Sequence, residues 1–236
     1  GLDWSLFDIK YFEFYGKVNL MKAGLIYADA VSTVSPTYAR EILTPELGCG
    51  LEGVLKNRPH PVVGILNGID DAVWNPATDK KIFKNYTAAT LPDRYMNKEK
   101  LQKELAFKVD RGIPLIGMIS RLADQKGCDL LVKIIHDLLD AKVQLVVLGT
   151  GDKKYHILLE KAARAHPKNA SINLKFDAIL AEKIYAGSDL FLVPSRYEPC
   201  GLSQMIAFRY GAIPVVRQTG GLKDSVIEYD QKAKTG

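Results

Sequence analysis

Two kinds of apolar run alternate through the second half of this 236-residue chain. Leu115–Ile119, Val143–Leu148, Leu190–Val193 and Ile213–Val216 are short, rich in aliphatic residues and bounded by turn signals, as buried strands are. Between the first two lies Asp129–Asp140, where the pairs Leu130/Leu131, Ile134/Ile135 and Leu138/Leu139 recur every four residues and mark one buried stripe of a helix. Tyr155–Ala165, Ile172–Phe176 and Ala181–Ala186 continue the pattern. The strands lack polar alternation, so both of their faces should be covered. The expectation is an α/β protein built on a doubly wound parallel sheet, with its ligand crevice at the carboxyl ends of the strands.

The first half is less regular. Residues 1 to 20 are rich in aromatics (Trp4, Phe7, Tyr11, Phe12, Phe14, Tyr15) without a steady period, which suits a loop and a short helix packed on something larger. Leu20–Ala28 reads as a short helix, Ala30–Val34 as a β-prone run ended by Ser35-Pro36, and Tyr38–Leu43 as a helix after the proline. Gly48–Gly53 reads as a turn ahead of a helix at Val54-Leu55, and Val62–Leu66 as a strand closed by the turn Asn67-Gly68-Ile69-Asp70. From Trp74 to Lys100 the chain is polar and proline-broken, the best candidate for a domain boundary. Gly1-Leu2-Asp3-Trp4 has neither an initiator Met nor a signal pattern, and Lys234-Thr235-Gly236 comes without a closing helix, so the chain is read as an internal fragment.

Composition narrows the function. A content of 47% hydrophobic and 25% charged residues is ordinary for a soluble α/β protein. The net charge of +5 is mild and its cations are scattered among acids, so neither a nucleic-acid stripe nor an aromatic stacking platform stands out. No apolar run approaches the roughly 20 residues of a membrane span. Cys49, Cys128 and Cys200 are too few and too far apart for a disulfide framework, which fits a reducing compartment. His60, His136, His156 and His166 share no ligand spacing with one another or with the cysteines, so no metal site is readable.

The chemistry gathers in one stretch, Asp189–Gly221. A buried strand breaks at Pro194-Ser195-Arg196 into a loop that carries Glu198 just ahead of Gly201, and Leu202, Met205, Ile206 and Tyr210 then mark a helix face. Unpaired N–H groups at that helix start, with the Ser203 hydroxyl beside them, form a place for a phosphate. A further strand ends in Thr219-Gly220-Gly221, a second backbone-rich turn at the same edge. Arg121 and Lys126 leave the carboxyl edge of the Leu115–Ile119 strand, where cations would meet phosphates lodged in the crevice. Gly149-Thr150-Gly151-Asp152 begins like a dinucleotide fingerprint, but Lys154 stands at the third glycine, and no G-x-x-x-x-G-K-[ST] loop exists. Cys200 lacks a paired His or Asn, so a packing role with its backbone lining the ligand is preferred over a nucleophile.

Taken in order, Ser120-Arg121-Leu122 with Gln125-Lys126-Gly127, Val147-Leu148-Gly149-Thr150-Gly151, Pro194-Ser195-Arg196-Tyr197-Glu198-Pro199-Cys200-Gly201-Leu202, Tyr210-Gly211 and Thr219-Gly220-Gly221-Leu222 resemble bacterial glycogen synthase and plant starch synthase. Upstream, Lys22-Ala23-Gly24, Thr33-Val34-Ser35-Pro36-Thr37-Tyr38-Ala39 and Leu66-Asn67-Gly68-Ile69-Asp70 are similar to the same family. The resemblance implies a GT-B fold of two Rossmann-like domains facing across a cleft. It implies transfer of glucose from ADP-glucose to the non-reducing end of an α-1,4-glucan, with retention and without a metal or other cofactor. Carried over by residue, Arg121 and Lys126 would contact the diphosphate and Glu198 would lie near the glucosyl ring. Cys200, Gly201 and Leu202 would present backbone to glucose hydroxyls or phosphate, and Ser203 would bind phosphate. Asn67 would reach the glucose, Thr219, Gly220 and Gly221 would line the same pocket, and Phe176 would stand against the adenine. The family's early Lys-x-Gly-Gly-Leu segment is absent, so residues 1–66 correspond to the later part of the first domain and 67–236 to the nucleotide-sugar-binding domain. The implied partners are ADP-glucose and a glucan primer, with no nucleic acid and no membrane, in the bacterial cytoplasm or the plastid stroma. Two alternatives stay open: a GT-B transferase with another donor or acceptor, and a non-catalytic nucleotide- or carbohydrate-binding relative.

Overall fold

The computed structural model describes residue 1 and residues 3–234; the readings at Leu2 and at Thr235-Gly236 lie outside the described residues. After a 3-10 turn at Trp4–Leu6, the aromatic stretch forms an antiparallel hairpin of β1 (Glu13–Phe14) and β2 (Lys17–Val18). The hairpin, absent from the sequence reading, turns through Tyr15 and Gly16, both with positive φ. Helix α1 (Leu20–Tyr27) starts where the Asn19 side chain accepts from Lys22 N, and ends one residue short of the expected Ala28.

The run expected as a strand over Ala30–Val34 shrinks to β3 (Ser32–Thr33). Its partner β4 (Val63–Gly64), shorter than the expected Val62–Leu66, lies parallel to it. Between them, α2 (Pro36–Glu41) begins two residues earlier than expected, because Ser35 caps it through Tyr38 N and Pro36 fits the first helical turn. Two short helices follow, α3 (Pro45–Gly48) and α4 (Glu52–Lys56).

The polar stretch after Trp74 is packed rather than extended. Ile82 and Tyr86 are buried in the larger core, the Tyr86 hydroxyl donates to Tyr210 O at 2.8 Å, and Asn97 Oδ1 accepts from Phe83 N and Lys84 N. It leads into α5 (Arg94–Glu104), whose Lys98 is buried against Asp189.

From there strands and helices alternate as the periodicity predicts: β5 (Leu115–Ile119), α6 (Cys128–Asp140), β6 (Gln144–Leu148), α7 (Lys153–Ala165), β7 (Ala170–Asn173), α8 (Ala178–Gly187), β8 (Leu190–Val193), α9 (Ser203–Arg209), β9 (Ile213–Val216) and α10 (Gly220–Ser225). The five strands are parallel in the order β7-β6-β5-β8-β9. One correction is needed. β7 lies earlier than the expected Ile172–Phe176, because it pairs with β6 from Ala170↔Leu145 to Asn173↔Leu148 and has nothing further to pair with.

Both faces of the sheet are covered. On β6, Val146 and Leu148 point into a core with Tyr185, Phe191 and Tyr210, while Leu145 and Val147 point into a second core with Leu131, Ile135 and Leu159. After β5 the chain winds to β6 and β7 on one side, then returns to β8 and β9 on the other. The strand order therefore reverses between β5 and β8, which is where an open α/β sheet leaves a crevice at its carboxyl edge. No helix among the described residues is long and apolar enough to cross a membrane.

Candidate functional site

The two loops leaving β5 and β8 meet in that crevice. Arg196 N donates to Gln125 O at 2.8 Å, and the Arg196 guanidinium pairs with Asp129 at the start of α6, which holds its carboxyl below the usual range. The turn that carries Lys126, Asp124–Lys126, is held from α7. Asp124 accepts from the Tyr155 hydroxyl and from Lys154 Nζ, and these two contacts lower its pKa.

Lys126 Nζ lies 2.6 Å from Glu198 Oε2, and the Ser195 hydroxyl donates to the same oxygen at 2.8 Å. The Glu198 side chain is only 9% exposed and that of Lys126 23%. A carboxylate so withdrawn from water needs compensation from a cation and a hydroxyl, and it has both. A cavity of about 200 Å³ opens beside the pair, lined by Ser120 from β5's exit, Pro194 and Ser195 from β8's exit, and Gly201, Leu202 and Ser203 at the start of α9. Gly201 turns the chain with φ +73, and no side chain caps α9, so its first amides are left for a ligand.

The structure thus brings Lys126, Glu198, Gly201, Leu202 and Ser203 together. Cys200 is buried beneath them, its carbonyl accepting from Gln204 Nε2. Arg121 is exposed and donates to Gln125 Oε1 at 2.9 Å, outside the cavity lining. Thr219, Gly220 and Gly221 are buried behind Glu198, with Gly221 N donating to Glu198 O at 3.0 Å, and they do not line the cavity. Asn67 is exposed in the segment after β4, and Phe176 stands 93% exposed beyond the end of β7.

Ser195 carries no role in the sequence reading, yet it is fully buried and orients Glu198. Its one sequence signal is a hydroxyl at the very end of a buried strand, three residues before the carboxylate. The histidine pair His136 Nδ1···His166 Nε2, 2.9 Å apart, also joins residues that share no spacing. Among the described residues no group of three or more His, Cys, Asp or Glu is placed to hold a metal ion.

A larger cavity, about 920 Å³, lies between the 9–15 segment, α1 and α4. Of the three cations in its lining, Lys10, Lys22 and Arg58, two are committed to carbonyls, Lys22 to those of Ile9 and Glu13 and Arg58 to those of Leu25 and Ala28. Among the described residues no ion pair joins its lining side chains, so the smaller cavity, where Lys126 meets Glu198, is the candidate site.

Comparison with known proteins identifies the family. Residues 97–235 match the model of glycosyl transferases group 1, and residues 1–57 that of the starch synthase catalytic domain. The chain is 54% identical over 236 residues to a glycogen synthase of Thermosipho melanesiensis, covering 100% of this chain and 49% of that protein. It spans about half the length of the curated relatives it matches. The catalytic domain of starch synthase IV from Arabidopsis thaliana, solved with ADP and acarbose, superposes with a TM-score of 0.91 at 40% identity, over 98% of this chain and 48% of that one. Anabaena HepE in complex with UDP and glucose shares the fold alone, with a TM-score of 0.61 at 17% identity over 88% of this chain and 49% of that one.

Proposed function

The chain belongs to the glycosyl transferases group 1 and has the GT-B α/β architecture, and on that premise we propose that it is the donor-binding part of a retaining glucosyltransferase acting on ADP-glucose and an α-1,4-glucan. Residues 1–66 are assigned to the acceptor-side domain and 67–236 to the nucleotide-sugar domain. In support, β3 and β4 pair only with each other among the described strands, whereas Ile69, Trp74, Ile82 and Tyr86 join the core of the five-stranded sheet. ADP is the favoured nucleotide because the starch synthase at TM-score 0.91 was solved with it.

The observation that carries the reading is the contact between Lys126 and Glu198 beside the uncapped start of α9. In this reading the donor's diphosphate seats against the α9 amides and the Ser203 hydroxyl, and it takes the Lys126 ammonium from Glu198. The glucosyl C1–O bond breaks, the phosphate oxygen gains the electron pair, and Lys126, with Arg121 drawn in from the rim, neutralises it. Glu198, relieved of its cation, faces the positive charge developing on the sugar ring. The acceptor's 4-hydroxyl forms the new bond from the face the diphosphate leaves, and its proton passes to the departing phosphate. These side chains and amides carry the charge-neutralising role, so no metal is assigned.

By themselves, the 236 residues are expected to bind ADP weakly without turnover. The test is incorporation of labelled glucose from ADP-glucose into maltooligosaccharide by the full polypeptide bearing this sequence, with EDTA present. Transfer that survives the chelator supports the reading, and no transfer with either ADP-glucose or UDP-glucose overturns it.

A further inference from the structure

Helices α2 and α10 lie side by side and cap each other. At one end, Asp224 of α10 accepts from Thr37 N at 2.8 Å and from the Thr37 hydroxyl at 2.6 Å, which places a carboxylate on the first turn of α2. At the other end, Glu41 of α2 accepts from Gly220 N at 3.0 Å and from the Thr219 hydroxyl at 3.1 Å, at the start of α10. The two carboxylates thus exchange helix starts.

The ends differ in what lies beyond them. At the α2 end the carboxylate meets Thr37, which does not line the cavity. The α10 end backs directly onto Glu198: a Cβ on Gly220 would stand 1.9 Å from Glu198 O, and one on Gly221 would stand 2.2 Å from Cys200 O. Gly221 N donates to Glu198 O at 3.0 Å, and the Glu198 carboxylate then meets Lys126. Glu41 Oε2 is buried without a hydrogen-bond partner, so the carboxylate is held by the turn alone and not by other groups around it. A chain of contacts therefore runs from α2 through Glu41, the Thr219–Gly221 turn and the Glu198 backbone to the Glu198–Lys126 pair.

We infer that Glu41 is a positioning residue for Glu198, through which the first part of the chain sets the carboxylate of the glucosyl site. It lies outside the lining of the cavity. Its role follows from the turn it grips, which leaves no room for side chains and so transmits a shift directly to the Glu198 carbonyl. The inference rests on the proposed function for its catalytic consequence, though not for its geometry.

The test compares Glu41→Gln with Asp224→Asn, which removes charge from the opposite end of the same helix pair. In the full polypeptide, Glu41→Gln is expected to lower kcat about tenfold to a hundredfold, the scale of a small misplacement, with KM for ADP-glucose changed less than about threefold. Asp224→Asn is expected to keep most of kcat even though it melts below the unaltered polypeptide, having lost the charge that faces Thr37. In the 236-residue chain, the Glu198 side-chain carbonyl carbon signal should move in Glu41→Gln and stay in Asp224→Asn. Equal kcat losses in the two variants, or an unmoved Glu198 signal in Glu41→Gln, would overturn the inference. If the unaltered polypeptide transfers no glucose, the proposed function fails, and the carbon signal alone decides for or against Glu41. Should Glu41→Gln not fold, Thr219→Val removes one of the two contacts and is held to the same readouts.

Discussion

Lys126 and Glu198 leave loops 72 residues apart in sequence and meet at 2.6 Å over the crevice between β5 and β8. The cation best placed to receive the proposed diphosphate is neutralised by the carboxylate best placed to face a sugar. On the proposed function, binding of the donor would be an exchange of partners, and ADP affinity should respond to substitution of the two side chains in opposite directions.

Lys126→Gln is expected to weaken ADP binding about tenfold or more, the worth of a charge-assisted hydrogen bond, and to cost most of the transfer activity. Glu198→Ala is expected to lower transfer by about a hundredfold or more. Glu198→Gln, which removes the competing anion, should bind ADP at least as tightly as the unaltered chain. Calorimetry with ADP checks the opposite signs, and near-normal turnover of Lys126→Gln or Glu198→Ala would refute the assigned roles.

Phe176 gives a clean test of the adenine contact that the family resemblance implies, because it is 93% exposed and holds no part of the core. Phe176→Ala should leave the melting temperature unchanged while weakening ADP binding about threefold to tenfold, the scale of one base–aromatic contact. Unchanged ADP affinity would remove Phe176 from the site.

Asp224 makes the link between α2 and α10 sensitive to acid. Burial pushes its carboxyl upward, but the hydrogen bonds from Thr37 and Ser35 and the nearby Arg40 outweigh that and hold it below the ordinary value of 3.8. Its stabilisation is present above pH 3.8 and is lost as pH falls through the lower folded value. Asp224→Asn should therefore melt below the unaltered chain at neutral pH and converge with it in acid, as thermal unfolding across pH would record.

The three thiols should react unequally. Cys49 is exposed, Cys200 is buried, and burial pushes the Cys128 thiol up to about 11. A thiol reagent at pH 8 should modify one cysteine quickly in the native chain and three after denaturation, and Cys49→Ser should abolish the fast phase.

Lys98 is 1% exposed, donates to Arg111 O at 2.7 Å and pairs at 2.7 Å with Asp189, which in turn accepts from Leu115 N. Lys98→Met should destabilise the fold by about 3 kcal/mol, the lower end for breaking a buried pair because Asp189 keeps some contact with water. Denaturant unfolding would measure it.

Much of this was legible in the residue order because it is local. Strands β5, β8 and β9 match their apolar runs to the residue, and Lys126, Glu198, Gly201 and Ser203 sit just past strand ends where the topology needs a site. β7 was displaced because an edge strand takes its limits from its one neighbour rather than from its own apolar residues. The hairpin at Tyr15-Gly16 was missed because its strands are two residues each. Ser195 gave only a weak local signal, a hydroxyl three residues before Glu198, and Glu41 gave none, because it reaches a turn 178 to 179 positions away.

The mutual capping of α2 and α10 also bears on synthesis. Thr37 and Asp224 are 187 positions apart, so at roughly 5–20 residues per second a nascent α2 waits some ten seconds or more, by that estimate, for its companion to be made. Until the ribosome has delivered the segment around residue 224, the early part of the chain is without its last fastening, and a pause or premature stop anywhere in between would leave it exposed to chaperones and proteases.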